Sequence, residues 1–115
     1  VIQWTVSDVT RELRQSPGWT RQERVTRLLV KEPEVRLLLV GLPGGARWPQ
    51  HQASSRVIVT VLEGRLELSA GGDVRALAAG GILTLEPSTP HDLFAHEDTF
   101  FLLTIAGPSG PVQLE

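Results

Sequence analysis

From Val25 onward the chain is a succession of short runs rich in valine, isoleucine and leucine, each stopped by glycine, proline or acidic turn residues. Such a texture favours strands, because β-branched residues suit a pleated surface and the runs are too brief for a core helix. Strands are expected at 25–30, 35–41, 56–63, 65–69, 82–86, 91–95 and 99–106. Between them no helix is long enough to carry a crossover, so neighbouring strands must pair largely antiparallel. Open sheet edges invite aggregation, and a jelly roll or closed barrel removes most of them. An all-β jelly-roll barrel with a short N-terminal helix is the expected fold.

The first 24 residues have a different pattern. Ser7 and Asp8 offer an N-cap for a helix running to about Gln15, where Ser16, Pro17 and Gly18 stop it, and Val9 and Leu13 form its apolar side. We expect residues 1–24 to be a segment packed on the barrel, 25–106 to be the barrel, and 107–115, rich in proline and glycine, to be a tail. With 115 residues there is room for one domain and one main site. Since the chain contains no methionine, a short segment is expected to precede Val1.

Composition narrows the chemistry. Eleven basic residues stand against 13 acidic ones and are scattered, which argues against nucleic acid as a partner. Without cysteine there is no disulfide, thiolate ligand or cysteine nucleophile, so any metal must be held by histidine, carboxylate or amide oxygen. The apolar runs are too short for a membrane helix and the start has no signal-peptide pattern, so a cytoplasmic location and no membrane partner are expected.

Two glycine-bracketed segments stand out. In the first, Gly45 is followed by Trp48, His51, Ala53, Val57 and Gly64; in the second, Gly81 is followed by Pro87 and His91. Alternation along the strand after His51 turns Val57, Val59 and Val61 to one face and Ile58, Thr60 and Leu62 to the other. Apolar character on both faces suggests that one lines the barrel interior and the other is covered by a second sheet or subunit, and a homodimer through the outer face is expected. Gln50, Gln52 and His96 are poor partners for His51 and His91 by the same alternation, and His96 reads as a solvated turn residue. Trp4 and Trp19 are expected to pack the N-terminal segment onto the barrel. Of Phe100 and Phe101, one should be core and the other should face the sheet exterior or a partner.

The two segments resemble the paired signature motifs of the cupin family, specifically small single-domain, RmlC-like cupins. Gly45, His51 and Gly64 fit the first motif, but Ala53 stands where a second histidine is usual and Val57 where a glutamate is usual; Gly81, Pro87 and His91 fit the second. The likeness spans about 35–106. It implies a double-stranded β-helix whose metal-binding members hold a first-row metal with three histidines and a glutamate. Only His51 and His91 carry over, which makes a divalent metal (Mn, Fe, Ni, Cu or Zn) a weakly held guest.

The leading functional expectation is a small-molecule binding protein without assigned catalysis. Its apolar pocket would be lined by Trp48, Val57, Val59 and Val61, with His51 and His91 as polar anchors. The alternative is a metal-dependent oxygenase or isomerase using the two histidines, with water or substrate completing the shell. A metal-free sugar epimerase of the cupin kind would need a tyrosine acid, and the chain has none. A sensor or interaction scaffold is the remaining class.

Overall fold

The computed structural model describes residues 1–107, so the expected tail lies, beyond Gly107, outside the described residues. Helix α1 (Val6–Arg14) and the single turn α2 (Pro17–Thr20) precede nine strands. These are β1 (Val25–Glu32), β2 (Val35–Leu42), β3 (Arg47–His51), β4 (Arg56–Glu63), β5 (Arg65–Ala70), β6 (Asp73–Ala78), β7 (Ile82–Leu85), β8 (His91–Ala95) and β9 (Thr99–Ala106). They form a five-stranded sheet in the order β1-β2-β9-β4-β7 and a four-stranded sheet in the order β3-β8-β5-β6, with every pairing antiparallel. This is the jelly-roll barrel anticipated from the strand texture.

Two strands were not foreseen, β3 and β6, and they are the two edges of the four-stranded sheet. An edge strand needs only one hydrogen-bonded side, so β3 tolerates Pro49, and β6 stays mostly exposed, with Leu77 as its buried residue. Both therefore lack the apolar alternation that marks an interior strand. Helix α1 also begins earlier than Ser7 and Asp8 suggest. Thr5 is its N-cap without a side-chain cap bond, while Asp8 pairs with Arg11 at 2.9 Å instead.

Side chains fill the barrel interior in rows. The register aligns Val40, Phe101 and Val61 across β2, β9 and β4, and next to them Leu38, Leu103 and Val59. Leu66, Leu68, Leu77, Leu93 and Ala95 face these rows from the other sheet. A smaller core lies on the outer face of the five-stranded sheet, where Val9 and Leu13 of α1 pack with Val25, Leu39 and Phe100. Trp19 adds its ring 4.9 Å from that of Phe100, and Leu62 and Leu102 border the cluster. Phe101 thus belongs to the inner core and Phe100 to the outer one, where the cover is the chain's own N-terminal segment.

One end of the barrel is closed. The β4–β5 turn at Gly64, with φ +95°, presses against the turn before β9, where Thr99 Oγ1 accepts from the Arg65 N–H at 3.1 Å and lies 2.8 Å from the Glu97 carbonyl. Gly45 N–H donates to Ala95 O at 2.7 Å and Gly44 N–H to Asp98 Oδ1 at 2.8 Å. The opposite end carries the 52–55 and 86–90 connections, held together where Ser88 N–H donates to Ala53 O at 2.7 Å.

Candidate functional site

His51 ends β3 and His91 begins β8, and the register sets them directly opposite each other at the end that carries the 52–55 and 86–90 connections. Their ring centroids are 4.2 Å apart at 62°. Each is buried, with 7% and 3% of its surface exposed. His51 Nδ1 is 2.8 Å from the carbonyl of Pro49, and His91 Nδ1 is 2.9 Å from that of Thr89. A carbonyl only accepts, so each Nδ1 carries the proton and each neutral ring presents its Nε2 lone pair.

Burial pushes the His51 imidazole below its ordinary value of 6.5; His91 and Arg24 push the same way, against the Pro49 carbonyl and Asp92. His91 is lowered for the same leading reason, its hydrogen bond to Thr89 and the charge of Asp92 opposing the shift. The pair is accordingly neutral at pH 7. What the geometry offers is two adjacent acceptors, fixed in orientation from behind, in surroundings that exclude a proton.

A β-bulge makes the arrangement possible. Between Trp48 and His51 strand β3 advances three residues while β8 advances two, from Leu93 to His91. Strict alternation would put Trp48 and His51 on opposite faces, but the extra residue turns both inward. The Trp48 ring then stacks under His51 with centroids 4.4 Å apart at 19°, and the Arg24 guanidinium lies 4.0 Å from the indole centroid. Trp48 is buried, so it supports His51 from below and is not the open flat wall expected from the sequence. Its indole Nε1 is buried with no hydrogen-bond partner among the described residues.

Ala53 and Val57, the substitutes at the expected ligand positions, both belong to the inner core cluster, as do Val59 and Val61. All three valines are packed side chains, with Val57 in the row nearest the histidine end. A cleft of about 320 Å³ opens beside the site between β7 and the β5–β6 hairpin, with Leu68, Ala70, Leu83 and Leu85 as apolar wall and Thr89 at its edge. It adjoins the site through Thr89, whose carbonyl holds His91, and through Leu85, the register partner of Val57. Gln50 and Gln52 are exposed, and His96 reaches Glu67 at 2.9 Å on the surface, so none of the three joins the pair.

No group of three or more His, Cys, Asp or Glu that could hold a metal ion exists among the described residues. Two imidazoles by themselves do not fit a resident divalent ion, which ordinarily requires three or four protein ligands. Among the residues missed by sequence reasoning, Arg24 approaches the site from just before β1, and Arg36 has the inward parity of Leu38, Val40 and Leu42 on β2. The signal for Arg36 was legible: a charge at an inward position of an otherwise apolar strand. No helix among the described residues is long and apolar enough to cross a membrane.

The sequence model for the family described as Cupin domain matches residues 38–105. No curated protein matches the chain. Among solved structures, a conserved protein of unknown function from Streptococcus pyogenes is 23% identical, with a TM-score of 0.79 over 96% of this chain and 93% of its own. A cupin-2 domain containing protein from Shewanella frigidimarina is 16% identical, with a TM-score of 0.72 over 90% and 93%. The G106A mutant of salicylate 1,2-dioxygenase from Pseudoaminobacter salicylatoxidans is 14% identical and superposes with a TM-score of 0.78 over 90% of this chain and 34% of that one. At these identities the likeness is one of fold.

Proposed function

The chain belongs to the cupin domain family, and we propose that it binds a small molecule at the histidine end of its barrel, with His51 and His91 as polar anchors. The observation that carries this reading is the pair of Nδ1 to carbonyl hydrogen bonds, which leaves two neutral Nε2 acceptors side by side. A ligand that donates from a hydroxyl or amine group satisfies them without a protonation step. Val57 supplies the apolar floor nearest the pair, Val59 and Val61 hold that floor from below, and Trp48 fixes the plane of His51. The neighbouring cleft accommodates the apolar part of the ligand, matching the usual composition of ligand sites, mostly apolar with few oriented polar groups.

A metal-dependent oxygenase or isomerase is the competing reading, because the same two lone pairs are also metal donors. Its donor set would have to be completed by water or substrate. Elemental analysis of the purified protein, followed by titration with Mn, Fe, Ni, Cu and Zn in wild type and His51→Ala, separates the two. The binding reading requires no stoichiometric metal; a tightly held ion lost on mutation would replace it with the competing one.

The subunit arrangement proposed with this function is a homodimer through the outer face of the five-stranded sheet. Helix α1 covers part of that face, and the exposed Ile82, paired with Thr60 on edge strand β7, remains for a second copy. Sedimentation showing only monomer at micromolar concentration would refute this arrangement.

A further inference from the structure

Strand β2 directs Leu38, Val40 and Leu42 into the barrel, and Arg36 shares their parity. Arg36 pairs with Ile105, Ile105 with Val57, and Val57 with Leu85, so the four side chains make one row across the five-stranded sheet. It is the last inward row before the 52–55 and 86–90 connections. In the facing sheet the corresponding last row is the His51–His91 pair. Facing sheets lie about 10 Å apart, and the arginine stem is long enough to carry its guanidinium well into that gap.

Arg36 Nε and Nη2 are both shielded from solvent, and neither has a hydrogen-bond partner among the described residues. These two nitrogens form one edge of the guanidinium, with parallel N–H bonds, the fork that grips both oxygens of a carboxylate. Arg36 as a whole is half-buried, and leaving these two shielded donors without an acceptor costs stability. Its row mates are aliphatic, so the local packing gives no reason for a cation there. A fixed positive fork and two neutral acceptors thus share one end of the barrel.

We infer that Arg36 is the anion-recognising residue of this site and that the ligand class is a small hydroxycarboxylate. The carboxylate takes the Arg36 fork, and the hydroxyl donates to Nε2 of His51 or His91. The hydroxyl half rests on the histidine reading proposed above; the carboxylate half stands without it.

The test follows the arginine Nε–H resonance of Arg36 and the two histidine ring signals by NMR while acetate, lactate, lactamide or inorganic phosphate is added at constant ionic strength. Acetate and lactate are expected to shift the Arg36 signal to saturation, lactate binding about fivefold more tightly for its hydroxyl, and lactamide leaving Arg36 unmoved. Arg36→Lys should weaken lactate at least about tenfold, since a lysine has no fork. Arg36→Met, which removes the unpaired charge, should remain folded with a raised thermal midpoint and show no response to lactate. Lactate that stabilises Arg36→Met as much as wild type, or an Arg36 signal indifferent to both carboxylates, overturns the assignment. Phosphate binding as well as acetate overturns the carboxylate class. Equal affinity for acetate and lactate with silent histidine signals removes the hydroxyl half and the histidine reading, while leaving Arg36 as the anion site.

Discussion

Replacing Gly64 by alanine tests how the closed end of the barrel is held, and Gly45→Ala supplies the control. Gly64 and Gly45 have nearly the same backbone, φ +95° and +87°, so each variant carries a similar left-handed strain of about 1–2 kcal/mol. Their surroundings differ. A Cβ at Gly45 meets nothing within 4 Å, whereas one at Gly64 lands 2.3 Å from Asp98 O and 2.7 Å from Thr99 Cα. Those are backbone atoms, so relief requires moving the whole turn by about 1 Å, and overpacking of this kind costs about 1–3 kcal/mol or more. The displacement would also stretch the 3.1 Å Arg65 N–H to Thr99 Oγ1 bond, worth about 1 kcal/mol. The gain from a stiffer unfolded chain is common to both variants and cancels. Gly64→Ala should therefore lie about 2–4 kcal/mol below Gly45→Ala, a large share of a total stability of about 5–15 kcal/mol. Urea unfolding followed by fluorescence of the three tryptophans reads the difference. If the two variants unfold within about 0.5 kcal/mol of each other, the close approach of the Gly64 turn to the 98–99 backbone does not hold the closed end, and the reasoning is refuted.

The depressed histidines make stability pH-dependent in a stated direction. Between the lowered folded values and the unfolded value of 6.5 the unfolded chain binds more protons, so the contribution is complete above about pH 6.5 and is lost as pH falls toward the folded values. The slope in that window is at most about 1.4 kcal/mol per pH unit per histidine, and urea titrations at pH 7.5 and 5.5 should show a smaller loss in His51→Gln; an unchanged loss refutes the assignment. Phe100→Ala removes the ring beneath Trp19 and Arg14 and should cost about 3–5 kcal/mol, checked by urea unfolding, with a change in Trp19 emission. Trp48→Phe keeps the aromatic support of His51 and deletes the unpaired indole N–H, so it should cost well under the about 3–5 kcal/mol of Trp48→Ala in the same assay.

The interior strands were legible because burial on both sides writes itself into sequence: β2, β4 and β9 are apolar runs bounded by turn residues. Edge strands leave weaker marks, which is why Arg47–His51, with a proline inside it, and the exposed Asp73–Ala78 went unread. The histidine pair was legible through the spacing of Gly45, His51, Pro87 and His91. What surrounds the pair was less so. Alternation predicts opposite faces for Trp48 and His51, and only the pairing with Leu93 and His91 exposes the bulge that brings them together. Arg36 needs only alternation, which gives it the inward parity of Leu38, Val40 and Leu42 on β2. The outer face was correctly seen to need a cover, but α1 supplies part of that cover from within the chain.

The bulge in β3 has a consequence for how such a protein can change over generations. Because β3 is a sheet edge, one residue can be gained or lost there with little disturbance to the paired strands behind it. Losing one of the two residues between Trp48 and His51 would leave the barrel standing and set the tryptophan and the histidine two apart, in step with Leu93 and His91, so that plain alternation keeps both facing inward. A one-codon deletion at Pro49 or Gln50 is thus absorbed by the edge: the scaffold and the inward histidine both persist, and what is lost is the local bend that the bulge gives to β3.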